Sequence, residues 1–122
     1  MKSEKLIEVL SVAERLKDAV RHCYTSGGRH ESVAEHSWRI TLMAYFVSDE
    51  FPEADLLKIM KMCLIHDLGE AFTGDIPTFE KTDKDSKKEV DVLGEWVKTL
   101  PEPFSKEMSE LYQEMEEQQT LE

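Results

Sequence analysis

The sequence predicts an all-α domain of about five helices. Apolar residues recur at helical spacing in five stretches, Gly and Pro clusters punctuate them, and no segment carries the alternating β-branched pattern of a strand. From Ser3 to about Lys17, Leu6, Val9, Leu10, Ala13 and Leu16 form a strip that needs a partner surface. Thr25-Ser26-Gly27-Gly28-Arg29 then breaks the chain. Ser32, with Glu35 three residues on, has the form of a capping box and opens a second helix running to about Val47. Pro52 suits the first turn of a third, about Glu53 to Ala71. Its Leu56, Leu57, Ile59, Met60, Met62, Cys63, Leu64 and Ile65 leave little polar circumference and mark it as the buried central helix. Gly74 and Pro77 end it, and Thr73 to Lys84 reads as an irregular loop. A fourth helix, about Ser86 to Leu100, sets Val90, Leu93, Trp96 and Val97 on one side. Pro101 and Pro103 interrupt before a fifth begins near Ser105.

A chain of 122 residues buries roughly two thirds of its unfolded surface around one core, so residues 1–122 are read as a single domain. The net charge of -11 argues against a nucleic-acid polymer or an anionic membrane as partner, because most of the surface would repel either. From Glu102 onward, seven acidic residues face one lysine, so -6 of that charge sits in the last segment. Cys23 and Cys63 have no C-x-x-C spacing, and Met1 to Leu10 mixes charges among its apolar residues instead of forming a signal-peptide core. A reducing, cytoplasmic location is the expectation. The apolar strips of the first and fourth helices also permit a homodimer.

The informative polar residues lie on the two most apolar helices. His36 falls on the strip of Val33, Ile40, Met43 and Val47, and His66-Asp67 follows directly on Met62-Cys63-Leu64-Ile65. Glu70, four residues after His66, shares the same side of that helix end. Burying two imidazoles and a carboxylate without compensation costs several kcal/mol or more, on the order of a protein's whole stability margin. One compensation is local: a satisfied core histidine at His36 and a capping or ion-paired His66-Asp67. The other is a divalent metal held by His36 from one helix and His66 with Asp67 from the next, a mixed nitrogen and oxygen set that suits several transition ions.

Glu31-Ser32-Val33-Ala34-Glu35-His36 and Ile65-His66-Asp67-Leu68-Gly69-Glu70-Ala71-Phe72-Thr73-Gly74-Asp75-Ile76-Pro77 resemble the HD-domain metal-dependent phosphohydrolases. Within them the likeness is to the 5'-deoxynucleotidases, which remove phosphate from deoxyribonucleoside 5'-monophosphates. The resemblance implies a helical HD domain with His36, His66 and Asp67 on one divalent ion, whether Mn, Co, Zn, Ni, Fe or Mg. It implies Glu70 and Asp75 as catalytic carboxylates and Arg21, fifteen residues before His36, as the phosphate contact. His22 stands where the bacterial enzyme has a Trp that helps favour deoxyribose. The family's fourth protein ligand is an Asp on a later helix, and no matching segment precedes Glu122.

A divalent ion polarises phosphoryl oxygens and brings the pKa of water from about 15.7 toward 7. Glu70 is placed to orient or deprotonate that water and Asp75 to meet the leaving 5'-oxygen, and the two roles are interchangeable at this stage. Arg21 offers a permanently charged fork to the phosphate. Arg29 and Arg39 are weaker second contacts, and His30 belongs to a surface loop. Trp38 and Trp96 read as core or interface residues. The expected activity is phosphate release from a small nucleotide, a (deoxy)nucleoside 5'-monophosphate. A non-catalytic HD module that binds metal or nucleotide for regulation is the alternative, and cyclic or pyrophosphorylated nucleotides are further substrate classes.

Overall fold

The computed structural model describes residues 1–73 and 83–122. Helix α1 spans Ser3–Glu14 and tightens into a 3-10 turn, Arg15–Lys17. Strands β1 (Val20–Tyr24) and β2 (His30–Ser32) pair antiparallel. Helices α2 (Val33–Phe46) and α3 (Leu56–Ile65) follow, then the single turn α4 (Glu70–Thr73), α5 (Asp83–Lys98) and α6 (Phe104–Glu117). Among the described residues this is the expected all-α architecture: five helices of ten or more residues and one short turn of helix.

The two-stranded ribbon corrects the expectation that the chain has no strand. The stretch around Gly27 and Gly28 does not merely end a helix; it turns the chain back on itself. Gly28 has φ of +88°, where an L side chain is strained, and its N–H donates to Thr25 O at 2.9 Å. The paired segments are five and three residues long and contain a register irregularity, too short and too uneven for a period-two pattern to emerge. Val33 N–H then donates to Ala19 O at 2.8 Å and ties the start of α2 to the foot of the ribbon.

The capping box is present in full. Ser32 Oγ accepts from Glu35 N–H at 3.1 Å, and Glu35 Oε1 accepts from Ser32 N–H at 3.0 Å. Arg29 adds a forked pair to the same carboxylate, which is solvent-accessible. The Arg29 guanidinium first, and the Ser32 N–H next, hold the Glu35 carboxyl at about 2, below its ordinary 4.5. A lowered folded-state pKa stabilises above the ordinary value and is lost as pH falls through the folded one. Glu35→Gln is therefore expected to lower Tm at neutral pH, with the gap to wild type shrinking on acidification toward about pH 3. Thermal melts across that range check it; a gap independent of pH would contradict it.

The third helix differs most from expectation. It begins at Leu56 under an Asp55 cap, whose carboxylate accepts from Lys58 N–H at 3.1 Å, and Pro52 lies in the turn ahead of it. It stops at Ile65 because the following backbone tightens. Leu68 N–H donates to Ile65 O, Glu70 N–H to Asp67 O and Ala71 N–H to Leu68 O, each at 3.0 Å and each three residues back. Nor is α3 buried all round: Met62 is its one buried residue, while Leu57 and Leu64 are 64% and 54% exposed. On one side it packs against α2, and α6 meets it through polar groups, with Lys58 on Glu114 at 2.7 Å, Lys61 on Glu107, and Tyr112 Oη donating to Ile65 O at 2.7 Å.

The buried side of α2 is also rotated from the expected strip. Val33 and Ser37 are buried, Met43 and Val47 lie outside, and His36 sits at the margin between. Trp38 is exposed rather than core, whereas Trp96 packs on the core. Of the strip expected along the first helix, Leu16 is buried in the 3-10 turn that follows α1, whereas Leu6 and Leu10 are exposed. The core joins Leu16, Val33 and Leu68, with Ala13, Ala19, Ala34, Ala71, Trp96 and Met108 against them. Val33 lies three residues before His36 and Leu68 immediately after Asp67, so one apolar cluster fixes both segments that carry the candidate ligands.

Candidate metal centre

His36 projects from the first turns of α2, and His66 and Asp67 emerge where α3 ends. The two imidazole rings lie 5.5 Å apart, centroid to centroid. His66 Nε2 is 3.0 Å from Asp67 Oδ2, and His36 Nε2 is 3.6 Å from the same oxygen. One donor atom from each of the three residues lies within 4.8 Å of the others.

These spacings fit a common ion. Two donors each about 2.1 Å from one cation stand about 3.0 Å apart at a right angle and about 3.6 Å apart at about 120°. Ring orientation fits as well. His66 Nδ1 lies 2.7 Å from Cys63 O, and a carbonyl only accepts, so Nδ1 carries the proton and Nε2 is directed at Asp67. The same carbonyl is the one a continuing helix would offer to Asp67 N–H, and it lies where the backbone bonds shorten to three residues.

Burial, and then the Arg21 charge, push the His36 pKa down, which keeps its ring neutral and its lone pair available. His66 moves up, chiefly through its hydrogen bond to Asp67, against the opposing effect of burial. Burial works to raise Asp67, but the His66 hydrogen bond and the charges of His66, His36 and Arg21 outweigh it and hold the carboxyl below its usual range. A cation entering this site therefore competes with a proton on His66.

Arg21 reaches the same neighbourhood from β1. Its Nη1 donates to Glu31 Oε1 at 2.8 Å, and Glu31 Oε1 is 3.9 Å from His36 Nδ1. Glu31 is a site neighbour for which the sequence reading assigned no role. Tyr112, anchored on Ile65 O, is another; it lies 47 positions away in the chain, beyond any local pattern. His22, next to Arg21, is exposed. His30 is exposed with Nδ1 2.9 Å from Arg21 O, Arg29 serves the Glu35 cap, and Arg39 is exposed on α2. Glu70 is buried and opens α4, adjoining the triad in sequence but outside the set of convergent donors. Asp75 lies outside the described residues, as do Gly74 and Pro77. The apolar hollow of about 390 Å³ lined by Val47, Phe51, Ile59 and Leu121 shares no residue with the triad.

Residues 13–122 match the HD domain family. The chain is similar to a 5'-deoxynucleotidase of Dictyostelium discoideum, 31% identical over 95% of this chain and 66% of that protein. It is likewise similar to a 5'-deoxynucleotidase of Homo sapiens, 30% identical over 98% of this chain and 60% of that one. A crystal structure from Magnetospirillum magnetotacticum MS-1, described as a predicted metal-dependent phosphohydrolase, superposes with a TM-score of 0.81. The identity there is 28%, over 95% of this chain and 59% of the other. The chain thus spans between 60% and 66% of the length of these two curated relatives.

Proposed function

The chain belongs to the HD domain family, and on that premise we propose that it is a metal-dependent phosphohydrolase releasing phosphate from (deoxy)nucleoside 5'-monophosphates, deoxy forms preferred. The observation that carries this proposal is the convergence of His36, His66 and Asp67 beside the charged Arg21. A divalent ion held by those three residues would polarise a phosphoryl oxygen and acidify a water.

The chain's own groups do the rest. Arg21 binds the anionic phosphate and offsets the acidity of the surface, its planar fork matching two phosphate oxygens. Glu70, held in a buried position at the start of α4, orients the attacking water and takes its proton. Asp75 delivers a proton to the departing 5'-oxygen. His22, beside Arg21, meets the sugar.

A panel of deoxy- and ribonucleoside 5'-monophosphates, 3'-monophosphates, cyclic nucleotides and nucleoside diphosphates, assayed for phosphate release with and without Mn²⁺, tests the function. The expected result is Mn²⁺-dependent release from 5'-monophosphates, fastest from deoxy forms. Tight Mn²⁺ binding with no release from any monophosphate would overturn it in favour of a binding module.

A further inference from the structure

We propose that Glu31 is a positioning residue that joins the arginine of the phosphate site to a histidine of the metal site, an assignment that rests on the function proposed above. The ribbon brings it there. Arg21 on β1 and Glu31 on β2 face each other across the hairpin, their side chains 28% and 15% exposed. The Glu31 oxygen that accepts from Arg21 Nη1 at 2.8 Å is also the one 3.9 Å from His36 Nδ1. The opposite nitrogen of that imidazole, Nε2, faces Asp67. One carboxylate oxygen thus stands between the guanidinium and the back of a candidate ligand ring.

Two physical effects follow. An arginine side chain has several free torsions, and a carboxylate beside it fixes the plane of the guanidinium before substrate arrives. For a pair this enclosed the desolvation of both charges offsets much of their attraction, so orientation is the consequence the site can use. The second effect is electrostatic. The Arg21 guanidinium is permanently charged and is joined to the His36 ring through a single carboxylate oxygen, so its field opposes a divalent cation at the triad. The Glu31 charge offsets that repulsion while facing the Nδ1 side of a ring whose Nε2 turns to the ion. At 3.9 Å the carboxylate makes no hydrogen bond to the ring and acts on it through its charge, which favours a cation at the opposite nitrogen.

Mn²⁺ titration of substrate-free protein, followed by electron paramagnetic resonance, reads this directly. Glu31→Gln keeps the shape and removes the charge, and Glu31→Asp keeps the charge and withdraws it from both partners. Each variant is expected to weaken Mn²⁺ binding by about ten- to hundredfold and to raise KM for dAMP more than it lowers kcat, with far-ultraviolet dichroism unchanged. Should Glu31→Gln fail to fold, Glu31→Asp carries the same expectations. Mn²⁺ affinity and KM equal to wild type in a folded variant, whatever its Tm, would overturn the role of Glu31 alone. Wild-type protein that takes up no Mn²⁺ would overturn the metal-dependent function and this assignment together.

Discussion

Asp67→Asn is expected to weaken Mn²⁺ binding and metal-dependent phosphate release each by more than about a hundredfold, since loss of a group merely behind a ligand already costs about ten- to hundredfold. Asp67 is the hub of the site: its Oδ2 faces His66 Nε2 at 3.0 Å and His36 Nε2 at 3.6 Å, and it supplies the negative charge among the three donors. The amide keeps the volume, so the adjacent Leu68 stays in the core and the fold is preserved. The change also replaces the charged acceptor that raises the His66 pKa by a neutral amide, so in the variant His66 titrates closer to its ordinary value. Isothermal titration with Mn²⁺ and a phosphate-release assay measure the two losses, and nuclear magnetic resonance of the imidazole measures the third. Turnover and affinity at the wild-type level would remove Asp67 from the site.

Glu70→Gln is expected to act on a different quantity. As the base proposed for the water, its loss lowers kcat by about 10²- to 10⁴-fold while leaving Mn²⁺ affinity near wild type, because its carboxylate is outside the convergent set of donors. Glu70 is 9% exposed, and the isosteric amide keeps that buried volume filled. Single-turnover measurements beside Mn²⁺ titration separate chemistry from binding. Equal losses in both would make Glu70 a metal ligand instead of a base, and no loss in either would make it structural.

Local signals carried much of this into the sequence. Ser32 and Glu35 foretold both the start of α2 and its capping geometry, since that device is complete within four residues. The grouping of His36, His66 and Asp67 was legible because polar residues on apolar helix faces call for compensation, local or by a metal, although the structure leaves all three part-exposed. What stayed hidden depended on contacts distant in the chain or on competition within the backbone. The ribbon is held by pairing across the Gly28 turn, and its strands are too short to carry a period. The end of α3 was expected at the downstream Gly74 and Pro77, yet beyond Ile65 the backbone bonds shorten to three residues, a change whose start no Gly or Pro marks. Glu31 acquires its neighbours only once the hairpin folds Arg21 back beside it, and Tyr112 only once α6 lies along α3. Even the buried strip of α2 came out rotated, because Ser37 turns inward while Met43 and Val47 face out.

The account turns on His36, His66 and Asp67 forming one cation site. Equilibrium dialysis of the protein against Mn²⁺, with bound metal read by elemental analysis for wild type and for the His36→Ala/His66→Ala double variant, tests it most directly. One ion per chain in the wild type and none in the folded double variant is the predicted result. A wild type that retains no ion, or a double variant that keeps the full complement, would contradict it.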